Sequence, residues 1–517
     1  MKKLENAIGA ENVKTSKMER LLYSHDSTGL PKEVDIGFKV IPDYVVRPTS
    51  TEDVQKIVKI AADTGVPITP RGAATGYVAA GVPAAGGISI DMVARMSKIL
   101  KVDEENMTIT CQAGASWKAV MEAAAEKGLF LGSYPSSFPN ASVAGWIAMS
   151  GVGMGNYKYG SAGDNIRNMV IVVPSGAIIN TGFETLADNM TGYNLNRLFV
   201  GTEGTLGVIC EVTLKLFPKP EVLRPLAYSF ERLDKVGAPM KDLTRTRVMP
   251  LHVAWSDGNH FKYLGKIGHH APKVGCLWLV TLEGDKAICD YEEKIIDEIV
   301  AKHGGKKESS ELAQHEWDER SYEYRTSMLG LGTSASEILV PVSAYADAVN
   351  GLYDLMDKMK MEGAIIGVAV DRNSIMLMPY YLFDKESLTK SMTSLSFAFK
   401  AGEVAKDVGG RLMGGFGLFM SSQLKPLRGE GYNVQVAIKN ALDPKEIMNP
   451  GKLLGMETRF KLPVTAGLFG VGMGAMSVVK KVLPKDNMID EKSKELALEE
   501  LEKERFEQHR NDPLKKK

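Results

Sequence analysis

Three glycine-rich stretches contain the residue types that could bind a phosphorylated cofactor. They are PRGAATGYVAAGVPAAGGISIDM at 70–92, YPSSFPNASVAGWIAMSGVGMGNYKYGSAGDNI at 134–166 and LFVGTEGTLGVICEVTLKL at 198–216. Glycine and small hydroxylic residues let backbone N–H groups approach a pyrophosphate closely and satisfy its oxygens. One such loop is equally typical of an ordinary tight turn, so the inference depends on all three together.

The spacing of these glycines excludes the two commonest nucleotide-binding motifs. Neither the GxGxxG of Rossmann domains nor the GxxxxGK[ST] of P-loop proteins occurs in them. Each of those motifs positions a phosphate at the start of a helix with a defined spacing. A different cofactor-binding architecture is therefore expected.

Taken in order, the motifs PITPRG, KYG, LFVGTEGTLG and NPGKLL resemble those of the FAD-linked dehydrogenases of the vanillyl-alcohol-oxidase type. The resemblance extends over about residues 40–456 and lies nearest the branch of D-lactate dehydrogenases and the glycolate oxidase FAD subunit. It implies an α+β protein: a PCMH-type FAD-binding domain plus an α+β substrate (cap) domain over an antiparallel sheet.

The resemblance also implies that the glycine-rich stretches bind one FAD. Arg71–Gly76 would hold the pyrophosphate, and Asn449 and Lys452 would close over the flavin ring. Some relatives attach FAD through a histidine of the first loop, where this chain has Ala73 and Ala74, so we predict noncovalent FAD. The implied cofactor-binding residues are Pro70, Arg71, Gly72, Ala73, Ala74, Thr75, Gly76, Pro135, Ser136, Ala144, Gly145, Gly151, Gly155, Tyr159, Gly160, Asp164, Glu203, Gly204, Gly207, Ile209, Asn449 and Lys452.

The metal ligands and the proton acceptor of the 2-hydroxy-acid branch are missing. There, GHxGDGNxH supplies two histidine ligands, and a later GEHG supplies a glutamate ligand and a histidine base. The equivalents here are GVAVDRNSIML and GGFG, in which Val368, Ile375, Gly415 and Phe416 replace the four functional residues. These side chains can neither ligate a divalent metal nor accept a proton. We therefore predict no catalytic metal.

Four polar residues remain as candidates for catalysis or substrate binding. Tyr380 and Tyr381 follow the altered strand and could accept a proton if a nearby cation lowers their pKa; packing in the core is the alternative. Asn373 survives from the family's motif. HEWDERSYEYR resembles the family's Trp-x-x-Arg helix, which implies that Arg320 binds a substrate carboxylate; a surface ion pair with a glutamate is the alternative.

A group of histidines has two interpretations. SDGNHF superficially resembles the lost motif, and His252, His260, His269 and His270 lie near one another in sequence. They could form a relocated metal or base site. We favour surface histidines in a loop, because the segment is far in sequence from the family's site.

The remaining pattern indicates the domain organisation. Small α+β units rich in glycine loops end near residue 220. Beyond it, strands such as CLWLVTLEG alternate with amphipathic helices such as DYEEKIIDEIVAKHGG. The predicted units are an FAD-binding domain at 1–220, a cap domain at 221–400, a return segment closing on the FAD at 401–456, and an apolar segment with a charged tail at 457–517.

Composition limits the partners and the location. The 517 residues include 63 basic and 63 acidic ones, so the net charge does not indicate nucleic acid as a partner. Four cysteines without CxxC spacing predict neither an iron–sulfur cluster nor a zinc site within the chain. The N-terminus lacks the apolar core of a signal peptide, so a cytoplasmic location is expected.

The C-terminal region contains an uncharged stretch, VTAGLFGVGMGAMSVV, at 464–479. It is shorter than the roughly 20 residues that span a bilayer. Ala466, Gly470 and Gly474 recur every four residues, which is typical of close helix packing. We predict that residues 464–483 dock onto a partner subunit or the surface of a membrane; an exposed extension without function is the alternative.

These observations predict an FAD-dependent dehydrogenase that oxidises an organic (hydroxy) acid or alcohol, larger and less polar than lactate. By the resemblance, its electrons pass to an electron-transferring flavoprotein or an iron–sulfur subunit, and whether the chain forms oligomers stays open. Two alternatives remain. One is a metal-dependent D-lactate or glycolate dehydrogenase, and the other is a non-catalytic flavin subunit that relays electrons within a complex.

Overall fold

The computed structural model describes residues 1–28, 37–186, 191–321, 332–383, 388–413, 421–455, 457–460, 463 and 471. Residues 414–420, which include Gly415 and Phe416, lie outside the described residues. The same is true of the predicted docking segment 464–483, apart from Val471. Among the described residues, no helix is both long and apolar enough to cross a bilayer.

The N-terminal unit is built on two sheets. The first has three parallel strands, Tyr44–Val46, Ile88–Asp91 and Ile68–Arg71, with Val13–Lys14 antiparallel at one edge. Its helix Thr51–Thr64 buries Val54, Ile57, Val58 and Ala61, whose helical spacing forms one apolar face. The second sheet is antiparallel, with the strand order Ile99–Asp103, Thr108–Gln112, Val208–Lys215, Ile166–Val172 and Ile178–Asn180.

The second unit is built on one large antiparallel sheet, here called the cap sheet. Its first strand, Val222–Phe230, follows a two-stranded ribbon formed by Phe217–Pro218 and Leu129–Phe130. The strand order of the cap sheet is Lys306–Lys307, Val222–Phe230, Cys276–Gly284, His252–Asp257, Gly363–Ala369, Ser374–Phe383, Glu337–Pro341 and Arg411–Met413, with Gly332–Ala335 also paired to Ser374–Phe383.

The two faces of the cap sheet have different neighbours. One face packs in a core with the helices Gly237–Thr244, Lys286–Lys302 and Tyr345–Lys358. The other face carries Ala254, Val368, Met376 and Tyr380, and it packs against the helix Gly258–Lys266 and Val152 of the second glycine-rich stretch. Side chains alternate between the faces along each strand. This second face therefore meets the N-terminal unit.

The other α-helices of the described residues are Lys2–Ile8, Lys17–Leu22, Trp117–Ala125, Val143–Ala148, Asn156–Tyr159, Leu195–Phe199, Ser310–Asp318, Leu388–Asp407, Leu424–Arg428 and Glu430–Leu442.

The end of the described chain returns to the N-terminal unit. The amide of Ile68 donates to Ile447, and the amide of Asn449 donates to Ile68. The predicted domain boundary at residue 400 lies inside the helix Leu388–Asp407, and the strand Arg411–Met413 still belongs to the cap sheet. The second unit thus continues to Met413. The predicted α+β fold with an antiparallel cap sheet is confirmed.

Candidate active site

The predicted cofactor loops meet at one place. A Cβ atom on Gly72 of the first loop would lie 2.3 Å from Ser142 Oγ, and one on Gly145 would lie 2.7 Å from the same oxygen. Gly204 of the third loop, with φ +72°, packs against Pro70. Larger residues at these positions would force the loops apart. The glycines therefore allow the three stretches to approach each other.

The returning C-terminal segment adds buried polar groups to this junction. Asn449 Nδ2 donates to the carbonyls of Ala80 and Glu203, at 3.0 and 2.6 Å. Lys452 is only 2% exposed, and no described residue accepts a hydrogen bond from its Nζ. Burial lowers the pKa of Lys452 to about 7, although Glu203 and Asp26 oppose the shift. A buried amine without a hydrogen-bond partner fits a site for an anionic group, which would stabilise its charged form.

A cavity opens between the second glycine-rich stretch and the cap sheet; we call it the cap cavity. Five of the eight histidines in the chain line it, together with apolar residues of the cap sheet. Its other polar walls come from the helix Ser310–Asp318 and the turn after it. The lining residues used below are Met154, His252, Ala254, His260, His270, His315, Glu316, Trp317 and Arg320.

Arg320 is held at the cap cavity by aromatic rings. Its guanidinium carbon lies 4.3 Å from the ring centroid of Trp317 and 5.4 Å from that of Phe138. Its NH1 group donates to the Trp317 carbonyl at 2.7 Å, and its Nε donates to the Tyr134 hydroxyl at 3.3 Å. Within the described part of the chain, no carboxylate forms an ion pair with Arg320. Glu316 and Glu319 therefore do not form the alternative ion pair with Arg320, and Glu323 of the same motif lies outside the described residues.

Two buried histidines face the same cavity. His260 is 5% exposed, and its Nδ1 lies 2.8 Å from the hydroxyl of Tyr380. His252 is 4% exposed, and none of the described residues forms a hydrogen bond with its Nδ1. Burial lowers the pKa of His260 to about 4, and burial together with Arg320 lowers the pKa of His252 to about 3. Both imidazoles are therefore neutral near pH 7, and each ring keeps one nitrogen lone pair.

Comparison with known proteins identifies the family. Residues 42–182 match the FAD binding domain family, and residues 219–453 match the C-terminal domain of FAD linked oxidases. The chain is 30% identical over 464 residues to the glycolate oxidase subunit GlcD of Bacillus subtilis, which covers 87% of this chain and 96% of GlcD. The chain belongs to the FAD-linked oxidase family. It is an FAD-dependent oxidoreductase.

Further similarities agree with this assignment. A D-lactate dehydrogenase of Anaerostipes hadrus is 27% identical over 457 residues, covering 83% of this chain and 92% of that protein. Among solved structures, p-cresol methylhydroxylase with substrate bound matches with a TM-score of 0.76 at 17% identity, covering 88% of this chain and 96% of that one. At that identity the match establishes the fold alone, and it confirms the predicted PCMH-type architecture.

The junction of the loops fits FAD. The amide groups of Ala74, Thr75 and Gly76 donate to no described residue, so they are available to the oxygens of a pyrophosphate. Ala74 has φ +56°, a left-handed conformation that turns the loop at this point. In the second loop, Cβ atoms on Gly151 and Gly155 would lie 2.1 Å from Trp146 Nε1 and 1.8 Å from the Gly132 carbonyl oxygen. Only glycine fits at Gly155, where the clash is with backbone, and a side chain at Gly151 would require the Trp146 ring to move.

Several residues predicted to bind FAD use their side chains elsewhere. Arg71 donates to the carbonyls of Gly81 and His25. Tyr159 donates to Glu283 of the cap sheet at 2.6 Å and packs against Phe217. Asp164 accepts hydrogen bonds from Ser161 and pairs with Arg197. Ile209 is buried in the core. For these four, a role toward FAD through the side chain stays a prediction, and the contacts observed are structural.

The predicted attachment of FAD is open to a direct test. The first loop contains Ala73 and Ala74, and neither side chain can form a covalent bond to a flavin. We expect acid precipitation of the purified protein to release all of the yellow chromophore into the supernatant. Flavin that stays with the pellet after denaturation would contradict the prediction.

The structure separates the predicted catalytic residues. Tyr380 lies on the cap-sheet face that packs against the helix Gly258–Lys266, whereas Tyr381 lies on the opposite face with its ring 5.3 Å from that of Phe397. Tyr381 therefore packs in the core, and the prediction that it accepts a proton is corrected. Asn373 is exposed in the turn between two strands and does not line the cap cavity, because Asp371 holds its amide in that turn.

The predicted position of two histidines, His252 and His260, is also corrected. His252 lies on a cap strand and His260 lies in a helix, so the interpretation as surface histidines in a loop is wrong for both. The signal was present in the sequence: SDGNHF combines an N-capping aspartate with the start of an amphipathic helix. Asp257 caps that helix by accepting from the His260 amide at 2.9 Å.

Proposed function

We propose that this enzyme is a dehydrogenase that oxidises the hydroxyl carbon of an organic acid bound in the cap cavity. The observation that carries the proposal is that Arg320 and the buried His260 line the same cavity. A carboxylate-binding cation and a proton acceptor in one cavity are the two groups that oxidation of a hydroxy acid requires. The names of the relatives, a glycolate oxidase subunit and D-lactate dehydrogenases, support the same substrate class.

Arg320 would bind the carboxylate. A guanidinium forms two parallel hydrogen bonds to a carboxylate, and stacking on Trp317 fixes the plane in which those bonds can form. Apolar walls formed by Met154, Ala254 and Leu279 favour a substrate whose other end is larger and less polar than that of lactate. A small hydroxy acid would leave these walls without an apolar group to pack against them.

His260 would accept the hydroxyl proton. In the tautomer that donates from Nδ1 to the Tyr380 hydroxyl, the Nε2 atom carries a free lone pair. Tyr380 then holds the ring in position, and His260 takes over the task that the altered loop at Phe416 no longer performs. Bound FAD supplies the acceptor for the hydride that leaves the same carbon.

The electrons would then pass to a separate carrier, either an electron-transferring flavoprotein or an iron–sulfur subunit. All four cysteines of the chain are buried free thiols, so the chain has no ligand set for a cluster of its own. This supports electron transfer to a partner. The name of the relative GlcD as a subunit supports it too.

The test is anaerobic bleaching of the oxidised flavin band. The purified enzyme is mixed with 2-hydroxy acids of increasing chain length, with their methyl esters and with alcohols that lack a carboxylate. We expect the acids to bleach the flavin, the longer apolar ones fastest, and the esters to fail. Equal bleaching by esters would refute carboxylate recognition. If no compound bleached the flavin, the alternative of a non-catalytic relay subunit would be favoured.

A further inference from the structure

A second polar group lies on the wall of the cap cavity and takes no part in the proposed reaction. His270, His315 and Glu316 each direct one potential ligand atom to a common point, and these atoms all lie within 4.8 Å of one another. The rings of His270 and His315 are 5.2 Å apart and nearly perpendicular. All three residues line the cavity that Arg320 also lines.

None of the three side chains is committed to another interaction in the described part of the chain. No described residue forms a hydrogen bond with either imidazole, and no described lysine or arginine pairs with Glu316. Polar groups at the wall of a partly enclosed cavity are normally satisfied by a protein group, by water or by an ion. Their convergence without internal pairing therefore leaves all three side chains free to bind a ligand.

The chemistry of the group selects the class of ligand. Two imidazoles and one carboxyl group offer two nitrogens and one oxygen. This donor set suits borderline divalent ions such as Zn²⁺, whereas Mg²⁺ and Ca²⁺ prefer oxygen ligands. Three protein ligands leave one coordination position open, as in catalytic rather than structural zinc sites.

We propose that His270, His315 and Glu316 bind one borderline divalent transition-metal ion at the wall of the cap cavity, with its open position facing the substrate. The site is distinct from the lost ligand positions Val368 and Ile375. Those residues are buried among apolar side chains on opposite faces of the cap sheet. The ion would polarise a substrate oxygen, and this role rests on the proposed function.

Binding of an ion needs at most a small closure of the site. Ligands of a tetrahedral ion with bonds of about 2.0–2.1 Å are about 3.4 Å apart. The ligand atoms here lie within 4.8 Å of one another, so any shortening is no more than about 1.4 Å. His315 and Glu316 are fixed on a helix anchored by the buried Trp317, whereas His270 is exposed and lies beyond the end of the helix Gly258–Lys266. His270 is the ligand expected to move.

The test is a zinc titration of the FAD-loaded enzyme, prepared without a polyhistidine tag and stripped with a chelator. Competition with a chromophoric chelator gives the stoichiometry and the affinity without substrate. We expect one Zn²⁺ per chain, and a loss of affinity of about tenfold or more in His315→Ala and in Glu316→Gln. The matched control is Glu311→Gln, an exposed glutamate on the same helix, which should bind as tightly as the unmodified enzyme.

Two results would overturn the proposal: no saturable site of one Zn²⁺ per chain in the unmodified enzyme, or unchanged affinity in both ligand variants. The first result is measured on the unmodified enzyme, so it does not depend on whether a variant folds. Retention of FAD shows that the variants are folded. Because the titration contains no substrate, its failure would leave the proposed function standing. Failure of every acid to bleach the flavin would conversely leave a measured zinc site intact.

Discussion

Replacing Arg320 by alanine should lower the second-order rate constant of flavin reduction by roughly 10²–10³-fold. Removing one partner of a desolvated pair of charges costs about 2–5 kcal/mol, because the other charge stays buried and unpaired. Most of the loss should appear as weaker binding of the acid. The measurement is anaerobic rapid mixing with the best acid found in the bleaching panel, over a range of concentrations.

Two further variants make this result specific. Arg320→Lys keeps the charge but loses the planar pair of donors and the stacking on Trp317, so it should recover only part of the loss. Arg245→Ala removes an exposed arginine at the end of the helix Gly237–Thr244 and should change nothing. A carboxylate role for Arg320 would be refuted if Arg320→Ala reduced the flavin as fast as Arg245→Ala.

Replacing His260 by glutamine should slow the limiting rate of flavin reduction by about 10²–10³-fold, the range that a positioned general base contributes. Binding of the acid should change little, because His260 acts on the hydroxyl rather than on the carboxylate. Tyr380→Phe should have a smaller effect, since it removes only the group that positions the imidazole. The measurement is the reduction rate at saturating acid.

The matched control for Tyr380→Phe is Tyr263→Phe. Tyr263 lies on the helix that contains His260, its ring is 6.2 Å from that of Tyr380, and its hydroxyl donates to the Glu362 carbonyl instead. It therefore reports general disturbance of the same region. Equal slowing by both tyrosine variants would show that Tyr380 matters only for packing.

The cofactor loops could be predicted because their glycine motifs resemble those of a known family. Part of the requirement for glycine is local, since Gly155 has φ +77°, a conformation that glycine adopts most easily. The motifs therefore indicated the fold before the tertiary contacts of these glycines were known. The return of Asn449 and Lys452 to the same junction was also implied by the family's motif and agrees with the buried contacts observed.

The substrate side could not be predicted in the same way, because it depends on the order of strands in the cap sheet. His252–Asp257 pairs directly with Gly363–Ala369, although more than a hundred residues separate them. Distance in sequence was therefore a poor reason to dismiss His260, whose partner Tyr380 is 120 positions away. The choice between Tyr380 and Tyr381 likewise needed the register, since adjacent strand residues point to opposite faces.

The histidines of the cap cavity offer functional groups that the altered family motifs have lost. Val368 and the loop at Phe416 no longer offer a ligand or a base. His260 and the group His270, His315 and Glu316 place both chemistries on neighbouring elements of the same cavity. We infer that His260 performs the proton transfer for which the altered loop no longer offers a base.

The pH dependence of the limiting rate of flavin reduction tests that inference most directly. Three other titratable groups lie near His260: Tyr380, Asp257 and His252. Burial raises the pKa of Asp257 to about 6, and burial together with Arg320 lowers the pKa of His252 to about 3. Protonated His260 cannot accept a proton, so the rate should fall as the pH is lowered through its pKa. That pKa is about 4 in the free cavity, and a bound carboxylate should raise it.

The decisive measurement is this profile at saturating acid, in the unmodified enzyme and in His260→Gln, with FAD retention checked at each pH. We expect a constant rate from about pH 9 to pH 7 and an acid limb with its inflection between about 4 and the ordinary histidine value of about 6.5. That limb should be absent from the slow variant. A rate that keeps rising above pH 7.5, or an acid limb that His260→Gln retains, would contradict the assignment of His260 as the proton acceptor.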